Sequence, residues 1–353
     1  MSQYIINPFF QFGNPPEVTR NAWIEIARKT LVGGETSFVL TPDPFPKKRY
    51  LMILLYLTGQ ADPAVDCELQ FNGDTGVNYT NRYSVDGGAD STPATANAVL
   101  DIFGYGGLPG VPGFNVYLID NNPKGEKLVI RHFVSQTASG PGTAPRRMEQ
   151  VSKWVNALDQ ISSITFLRTG GGSFASGEAV LLGFDPTDAQ DPILNFWQPI
   201  VDTPLLVTAD VLDTGVFSTK KYLWVEYELV DAIGAIDARM TFNSDTGVKY
   251  ARRGSQNGGV DATFISLTNI QNSNIVAGKQ RLSMFIVNFA TKEKLLISNL
   301  LEGVAFGPGT IGTRGEQVAK WTDVVSQINR ITLNNLGAGN YDVLSKIKIW
   351  GHD

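Results

Sequence analysis

The residues most able to do chemistry in this chain are two aspartates in matching settings. Leu69–Tyr79 reads Leu-Gln-Phe-Asn-Gly-Asp-Thr-Gly-Val-Asn-Tyr, and Met240–Tyr250 reads Met-Thr-Phe-Asn-Ser-Asp-Thr-Gly-Val-Lys-Tyr. Seven of the eleven positions are identical, among them Asn72/Asn243, Asp74/Asp245 and Gly76/Gly247. Two carboxylates held about 3 Å apart cannot both ionise, so such a pair shares a proton and can act as acid and base. The same residues have a structural reading. An aspartate in a turn bonds its own backbone while a glycine follows at positive φ. On that reading Asn72, Asp74, Gly76, Asn243, Asp245 and Gly247 form a turn motif in each copy, with no catalytic role. A hard cation on Asn72, Asp74 and nearby carbonyls is a third option, but the stretch lacks the several carboxylates that make an oxygen cage specific.

Asp-Thr-Gly written twice in a chain of two similar halves resembles the pepsin-like aspartic proteases, in which each lobe gives one aspartate. The pattern departs from that family in three ways. Gly73 and Ser244 stand where an apolar or aromatic residue should precede the aspartate. Val77 and Val248 replace the hydroxyl residue that should follow the glycine, and no apolar-apolar-Gly segment recurs later in register. The other reactive side chains are sparse. His132 and His352 are the only histidines and occupy non-equivalent places, so no nucleophile–histidine–acid set is balanced across the halves. Cys67 is the only cysteine, which excludes an intrachain disulfide and points to a buried, inert thiol. Gly104–Gly113 is glycine-rich but lacks the Lys-Ser/Thr of a phosphate cradle. The residues therefore point to no enzyme, no cofactor and no metal.

The elements that must position these residues read as all-β. Charged residues make up 18 % of the 353, below the roughly 25 % usual in soluble domains, and glycine reaches 36. A net charge of −5 gives no footprint for nucleic acid. No run of about 18 apolar residues exists to span a membrane, and the N-terminus has no secretory signal pattern, so synthesis in a cytoplasm is expected. Residues 1–30 divide into an apolar arm and a first strand over Asn21–Thr30. Pro8, Pro15 and Pro16 keep the arm out of regular structure. Its Tyr4, Ile5, Phe9, Phe10 and Phe12 must therefore lie on something, either the chain's own barrels or a neighbouring subunit, and they are the candidate partner contacts.

Domain 1 is placed at 31–185, a proline-stiffened linker at 186–204 and domain 2 at 205–353. Tyr50–Leu57 reads as a core strand buried on both faces. Val65–Phe71 and Val77–Tyr83 read as a hairpin about Asn-Gly-Asp-Thr-Gly, and Gly87–Asn97 as a polar loop. Val151, Trp154, Val155, Leu158 and Ile161 have helical spacing, which favours a helix over a strand, a turn and a second strand at Ile161–Leu167. The linker's Phe196 and Trp197 should pack on a barrel. The basic pairs Lys47-Lys48 and Lys220-Lys221, with Arg146-Arg147 and Arg314, are solvated rims or contacts to an acidic partner. Repeats extend beyond the aspartate motif. Glu126-Lys127-Leu128 returns as Glu293-Lys294-Leu295, Gly140-Pro141-Gly142-Thr143 as Gly307-Pro308-Gly309-Thr310, and Lys153-Trp154 as Lys320-Trp321. The offset drifts only from about 172 to 167, so one module is written twice, each copy a β-sandwich or jelly roll.

The motif Phe-Asn-x-Asp-Thr-Gly-x-x-Tyr-x-x-Arg occurs at Phe71–Arg82 and Phe242–Arg253. Trp154, Ile161, Ile164, Thr165, Gly172, Phe174 and Gly183 follow the first copy. Trp321, Ile328, Ile331, Thr332, Gly339, Tyr341 and Gly351 follow the second. Over about 300 residues this resembles the jelly-roll β-sandwich proteins of tailed-bacteriophage virions, capsid decoration or cement proteins in particular. The resemblance implies a structural protein on the capsid surface that binds the phage major capsid protein, with homo-oligomers or neighbouring copies on the shell. It implies neither nucleic acid nor membrane as partner, synthesis in the host bacterial cytoplasm, and strand–turn–strand for Val151–Leu167. A glycan-binding module of a head or tail fibre and a double-barrel major capsid protein are the alternative roles.

Overall fold

The computed structural model describes residues 23–40, 45–59, 65–97, 100–105, 112–169, 173–186, 188, 194–275, 278–303 and 311–353. The arm residues Tyr4, Ile5, Phe9, Phe10 and Phe12 lie outside these, as does the second Gly-Pro-Gly-Thr stretch. The fold is all-β, with no helix among the described residues.

The first half supplies β1 (Ile24–Leu31), β2 (Ser37–Val39), β3 (Tyr50–Gly59), β4 (Val65–Phe71), β5 (Tyr79–Val85), β6 (Ser91–Asn97), β7 (Leu100–Tyr105), β8 (Pro112–Asp120), β9 (Lys127–Ser135), β10 (Arg146–Trp154), β11 (Ile164–Thr169) and β12 (Phe174–Phe184). The second half supplies β13 (Gln198–Pro204), β14 (Val211–Asp213), β15 (Tyr222–Ile233), β16 (Ile236–Phe242), β17 (Tyr250–Gln256), β18 (Ala262–Leu267), β19 (Ile270–Ile275), β20 (Lys279–Val287), β21 (Lys294–Gly303), β22 (Thr313–Trp321), β23 (Ile331–Asn335), β24 (Asn340–Tyr341) and β25 (Lys346–His352). Each half is an antiparallel sandwich of a large and a small sheet. In the first, the large sheet runs β1-β12-β3-β8-β9-β10-β5-β6 and the small one β2-β11-β4-β7. In the second, β13-β25-β15-β20-β21-β22-β17-β18 faces β14-β23-β16-β19, with β24 added beside β15. The two strand orders correspond position by position.

Three apolar layers result. Leu51, Ile53, Leu55 and Leu57 of β3 point into the first sandwich, with Phe71, Tyr79, Trp154 and Phe166. Leu223, Val225, Tyr227 and Leu229 of β15 do the same in the second, with Phe242, Tyr250 and Trp321. The intervening β3 residues Met52, Leu54 and Tyr56 point the other way. They meet Phe114, Val116, Val180, Leu182, Tyr222, Trp224, Phe285, Leu295 and Ile297 in a third core between the halves. The alternation of β3 between two dry layers explains why its sequence shows no polar face. Phe196 and Trp197 sit in this middle core, each 1 % exposed. The two large sheets thus pack face to face, and the segment joining the halves is part of the packing.

Several expectations are corrected. Phe71 and Tyr79 are not ends of a hairpin: β4 is in the small sheet and β5 in the large one, so the Asn-Gly-Asp-Thr-Gly stretch carries the chain across the sandwich. The helical spacing over Val151–Ile161 is misleading. Val151 and Trp154 belong to β10 and face opposite sides, with Val151 51 % exposed and Trp154 buried, and 155–163 is loop before β11. Ile161 precedes β11; it is buried and held by Asn121, whose Oδ1 accepts its backbone N–H at 2.7 Å. Within the polar stretch Gly87–Asn97, β6 forms an edge strand on β5. The end of the expected linker, 198–204, is β13, whose Pro199 and Pro204 sit on a sheet edge where a missing N–H is tolerated.

Candidate functional site

The two aspartates end up in equivalent corners. Asp74 Oδ1 accepts from Gly76 N at 2.8 Å, and Asn78 Nδ2 donates to both oxygens at 3.1 and 2.9 Å. The indole of Trp154 donates to Oδ2 at 2.6 Å. Asp245 repeats this with Gly247 N at 2.9 Å and Trp321 Nε1 at 3.0 Å, and Lys249 stands in for Asn78 as an ion partner at 3.3 Å. The neighbouring asparagines tie the corner to the chain entering the small sheet. Asn72 Oδ1 accepts from Ser162 N and Ser163 N at 2.8 and 3.1 Å, and Asn243 Oδ1 accepts from Asn329 N and Arg330 N at 2.9 and 3.2 Å. The phenols of Tyr79 and Tyr250 accept from Phe71 N and Phe242 N, both at 3.0 Å, closing each corner from inside.

Positive φ falls ahead of the aspartates, at Asn72, Gly73, Asn243 and Ser244, and not at Gly76 or Gly247 as the turn reading expects. Gly76 is required for space instead: a Cβ there would lie 2.6 Å from Asn78 Nδ2 and 3.0 Å from Asp74 Oδ1. Burial alone would raise the Asp74 pKa, but the bonds from Trp154, Asn78 and Gly76 outweigh it and hold the carboxyl below its ordinary value. Each carboxylate is surrounded by donors from its own half. Asp74 takes three N–H-bearing partners, and Asp245 takes two with the Lys249 ammonium beside it.

The other concentrated polar chemistry lies where the halves meet. At one end, Glu178 of β12 takes Tyr222 Oη at 3.1 Å, Lys221 Nζ at 3.3 Å and Arg28 Nη1 at 2.6 Å. At the other, Arg147 of β10 pairs with Asp261 at 2.6 Å, and Arg253 donates to the Pro145 carbonyl at 2.8 Å. Between them the loop after β9 reaches onto the second half. Gly140 N donates to Glu293 Oε1 at 2.6 Å, the Gln136 side-chain amide donates to Glu293 Oε2, and Lys320 Nζ donates to the Ala138 carbonyl at 2.7 Å. Burial raises the Glu293 pKa and lowers that of Lys320, each partly offset by the groups it binds.

His132 lines a small cleft beside this seam with Arg147, Glu149, Asn299 and Glu316. Burial pushes its pKa down to about 4; Glu316 opposes the shift and Arg147 adds to it. Next to it the outer face of β9 and β10 is bare: Leu128, Ile130 and Val151 are 53, 44 and 51 % exposed. Phe264 is the most exposed aromatic among those whose side chains are described, at 40 %, and the Arg252 guanidinium lies over its ring at 3.9 Å. The basic rim residues divide. Arg147 is buried in the seam, while Arg314 at the equivalent position is exposed beside Glu316.

The seam residues Glu178, Glu293, Lys320 and Asp261 are absent from the sequence-derived candidates. The repeats Glu126-Lys127-Leu128/Glu293-Lys294-Leu295 and Lys153-Trp154/Lys320-Trp321 were visible as a signal, but nothing local says that one copy is covered and the other open. No protein-family model matches the chain, and no curated protein matches it. Among solved structures, domains LG4–5 of the mouse laminin α1 chain are similar at 8 % identity over 96 % of this chain and 92 % of that one, with a TM-score of 0.19. The LG1–3 region of the laminin α2 chain is similar at 6 % identity over 94 % and 61 %, with a TM-score of 0.20. The binding domain of botulinum neurotoxin DC in complex with SialylT is similar at 9 % identity over 90 % and 95 %, with a TM-score of 0.19. Nothing about this chain follows from likenesses so distant.

Proposed function

We propose that the chain is a non-catalytic structural protein of a tailed-phage particle, a decoration or cement protein bound to the outer face of the capsid. The observation that carries this reading is what the repeated polar residues do. Asp74 and Asp245, the side chains best suited to catalysis, are both consumed in holding a sandwich corner. The capsid assignment itself rests on the resemblance of the Phe-Asn-x-Asp-Thr-Gly-x-x-Tyr-x-x-Arg module to virion β-sandwiches. The physics of the task agrees. Two sandwiches joined through a dry core present a broad, stiff body, and a stiff body loses little conformational freedom on binding. On a shell, many modest contacts made together multiply through effective concentration. The expected partners are the major capsid protein and neighbouring copies of this chain.

The test is the position and copy number of the chain in purified particles, by cryo-electron microscopy and quantitative mass spectrometry. The reading expects density on the outer surface and a dispensable role in shell closure. Shells assembled from this chain alone would make it the major coat protein, and density confined to a fibre would move it to the tail or head appendages.

A further inference from the structure

The inner layer of the first sandwich holds two guanidinium groups for which the described residues supply no carboxylate. Arg131 of β9 is 1 % exposed and lies between Tyr117 of β8 and Gln150 of β10. Three of its five N–H groups are engaged, all by neutral acceptors. Nε donates to Asn115 Oδ1 at 2.7 Å, and Nη1 donates to Gln150 Oε1 at 2.8 Å and to Met148 Sδ at 3.2 Å. The two N–H groups of Nη2 remain, buried with no acceptor among the described residues. Tyr117, whose ring lies 5.7 Å from the guanidinium, has its hydroxyl buried without a partner among them as well. Burial raises the phenol well above its ordinary pKa, with Arg131 opposing the shift, so the group stays a neutral O–H donor. Arg168 of β11 stands opposite Cys67 on the inner face of the small sheet, and Cys67 is near enough to act on the same phenol. Arg168 Nε and Nη2 are also buried without an acceptor among the described residues.

The second half shows that the fold does not require these cations. The first half's row Ile53, Tyr117, Arg131, Gln150 returns across β15, β20, β21 and β22 as Val225, Met284, Ser298, Gln317. Arg168 opposite Cys67 returns as Asn335 opposite Ala238. Asn335 is neutral and satisfied: its Oδ1 accepts from Asp237 N and Gly337 N, both within 2.9 Å, and its amide donates to the Gly339 carbonyl. Gln317 does take a guanidinium, from Arg252 of β17 at 3.0 Å, but that side chain is partly exposed and lies over the Phe264 ring. Solvent can screen Arg252; it cannot screen Arg131.

We infer that Arg131 Nη2 and Tyr117 Oη bind a small monovalent anion, a halide or a carboxylate, inside the first sandwich, with Arg168 as the second cation facing it. A water molecule would satisfy the N–H groups but leave the charge, and a buried charge is costly unless it meets an opposite one. An anion answers both needs, since bonds between charged groups are the strong ones. The donors are convergent: two N–H groups on one nitrogen and one O–H from the adjacent strand present a single acceptor atom with its partners. The surroundings set the size. Phe133, whose ring lies 4.8 Å from the guanidinium, Met148 and Cys67 are 3, 4 and 0 % exposed, so the anion is one of few atoms. A second negative charge would add its own desolvation cost, which favours a monovalent ion.

The test follows urea unfolding of the full chain in sodium chloride, bromide or acetate at fixed ionic strength, balanced with gluconate, which is too bulky to enter. An anion bound only by the folded chain should raise the folded-to-unfolded ratio about tenfold for each tenfold rise in its concentration above half-saturation. A response to the halides names a halide and a response to acetate names a carboxylate; either supports the inference. Arg131→Ser, the residue the second half uses, should abolish the response. Tyr117→Phe keeps the guanidinium and should weaken the response, which serves where the first variant fails to fold. Bromide-grown crystals should show anomalous density within hydrogen-bond distance of Arg131 Nη2. A wild type indifferent to all three anions, an equal response in wild type and Tyr117→Phe, bromide found only elsewhere, or a carboxylate of the chain itself seated on Nη2 would each overturn it. None of these outcomes bears on whether the chain resides on a capsid, which particle imaging decides separately.

Discussion

Asp74 links three parts of the first sandwich: its own turn through Gly76, the start of β5 through Asn78, and the last residue of β10 through Trp154. Its replacement by alanine leaves a nearly buried indole N–H without an acceptor and frees the corner. A bond to a charged group is worth about 1.5–3 kcal/mol and an orphaned buried donor costs about 1–3 kcal/mol. Asp74→Ala should thus destabilise the protein by about 2–4 kcal/mol in urea unfolding, and Asp245→Ala by a similar amount. A loss below about 0.5 kcal/mol, the range of an ordinary surface substitution, would show that the corner is held by packing alone. The sign with pH is fixed by the depressed carboxyl. Asp74 stabilises fully above its unfolded pKa and loses that contribution as pH falls through the lower folded value. His132 acts in a higher window. Its folded pKa of about 4 lies below the ordinary 6.5, so its neutral ring favours the fold above pH 6.5 and that benefit fades as pH falls toward 4. Comparing wild type with His132→Gln by denaturant titration between those pH values should show a shallower decline in the variant; parallel curves would remove His132 from the acid response.

At the scale of elements, the segment between the halves does the work of a strand and of a plug. The indole of Trp197 lies against Trp224 and Phe285 at ring distances of 5.8 Å, and Phe196 bonds back to Trp23 through its backbone N–H. Trp197→Ala should cost about 3–5 kcal/mol, as large-to-small core changes do. Trp197→Phe should cost much less, because Trp197 Nε1 is buried with no acceptor among the described residues and its removal orphans nothing among them. Equal losses in the two variants would mean that ring volume is not what matters there. The apolar character of Phe196 and Trp197 made their burial legible in sequence, as the unbroken run Tyr50–Leu57 did for a two-faced strand. The corner residues were legible as a motif, but the sheet change was not. A hairpin and a sheet-crossing corner use the same turn chemistry and differ only in where the flanking strands find partners. Val151–Ile161 misled for a related reason. Trp154 and Val151 face opposite layers, and three-residue spacing mimics a helix when a strand's outer face is also apolar.

For the whole molecule, the middle core decides whether the halves are separate domains in the thermodynamic sense. Tyr222, Trp224, Phe285, Leu295, Ile297 and Val318 of the second half are nearly dry in a core they share with the first half and with Phe196 and Trp197 of the joining segment. Burying such side chains is worth about 1.5–3 kcal/mol each, so separating the halves exposes a face whose cost exceeds the net stability of an average domain. The intact chain should accordingly unfold in one calorimetric transition, with van't Hoff and calorimetric enthalpies in agreement. A fragment from Gln198 to Asp353 keeps β13 and both sheets of its half but bares that face. It should bind a hydrophobic dye strongly and aggregate, whereas the intact chain should do neither. Two resolved transitions, or a monodisperse fragment with no dye binding, would show that the sandwiches are independently stable and that the seam is a docking contact between finished domains. The asymmetry of the charges argues for the cooperative outcome. The second half carries charged residues at Glu226, Glu228, Arg281 and Lys348, away from the seam, and apolar ones where the first half covers it. The face of that half is therefore polar, with its charges ion-paired, outside the middle core and apolar where the first half covers it, a division expected of two halves that fold as a unit.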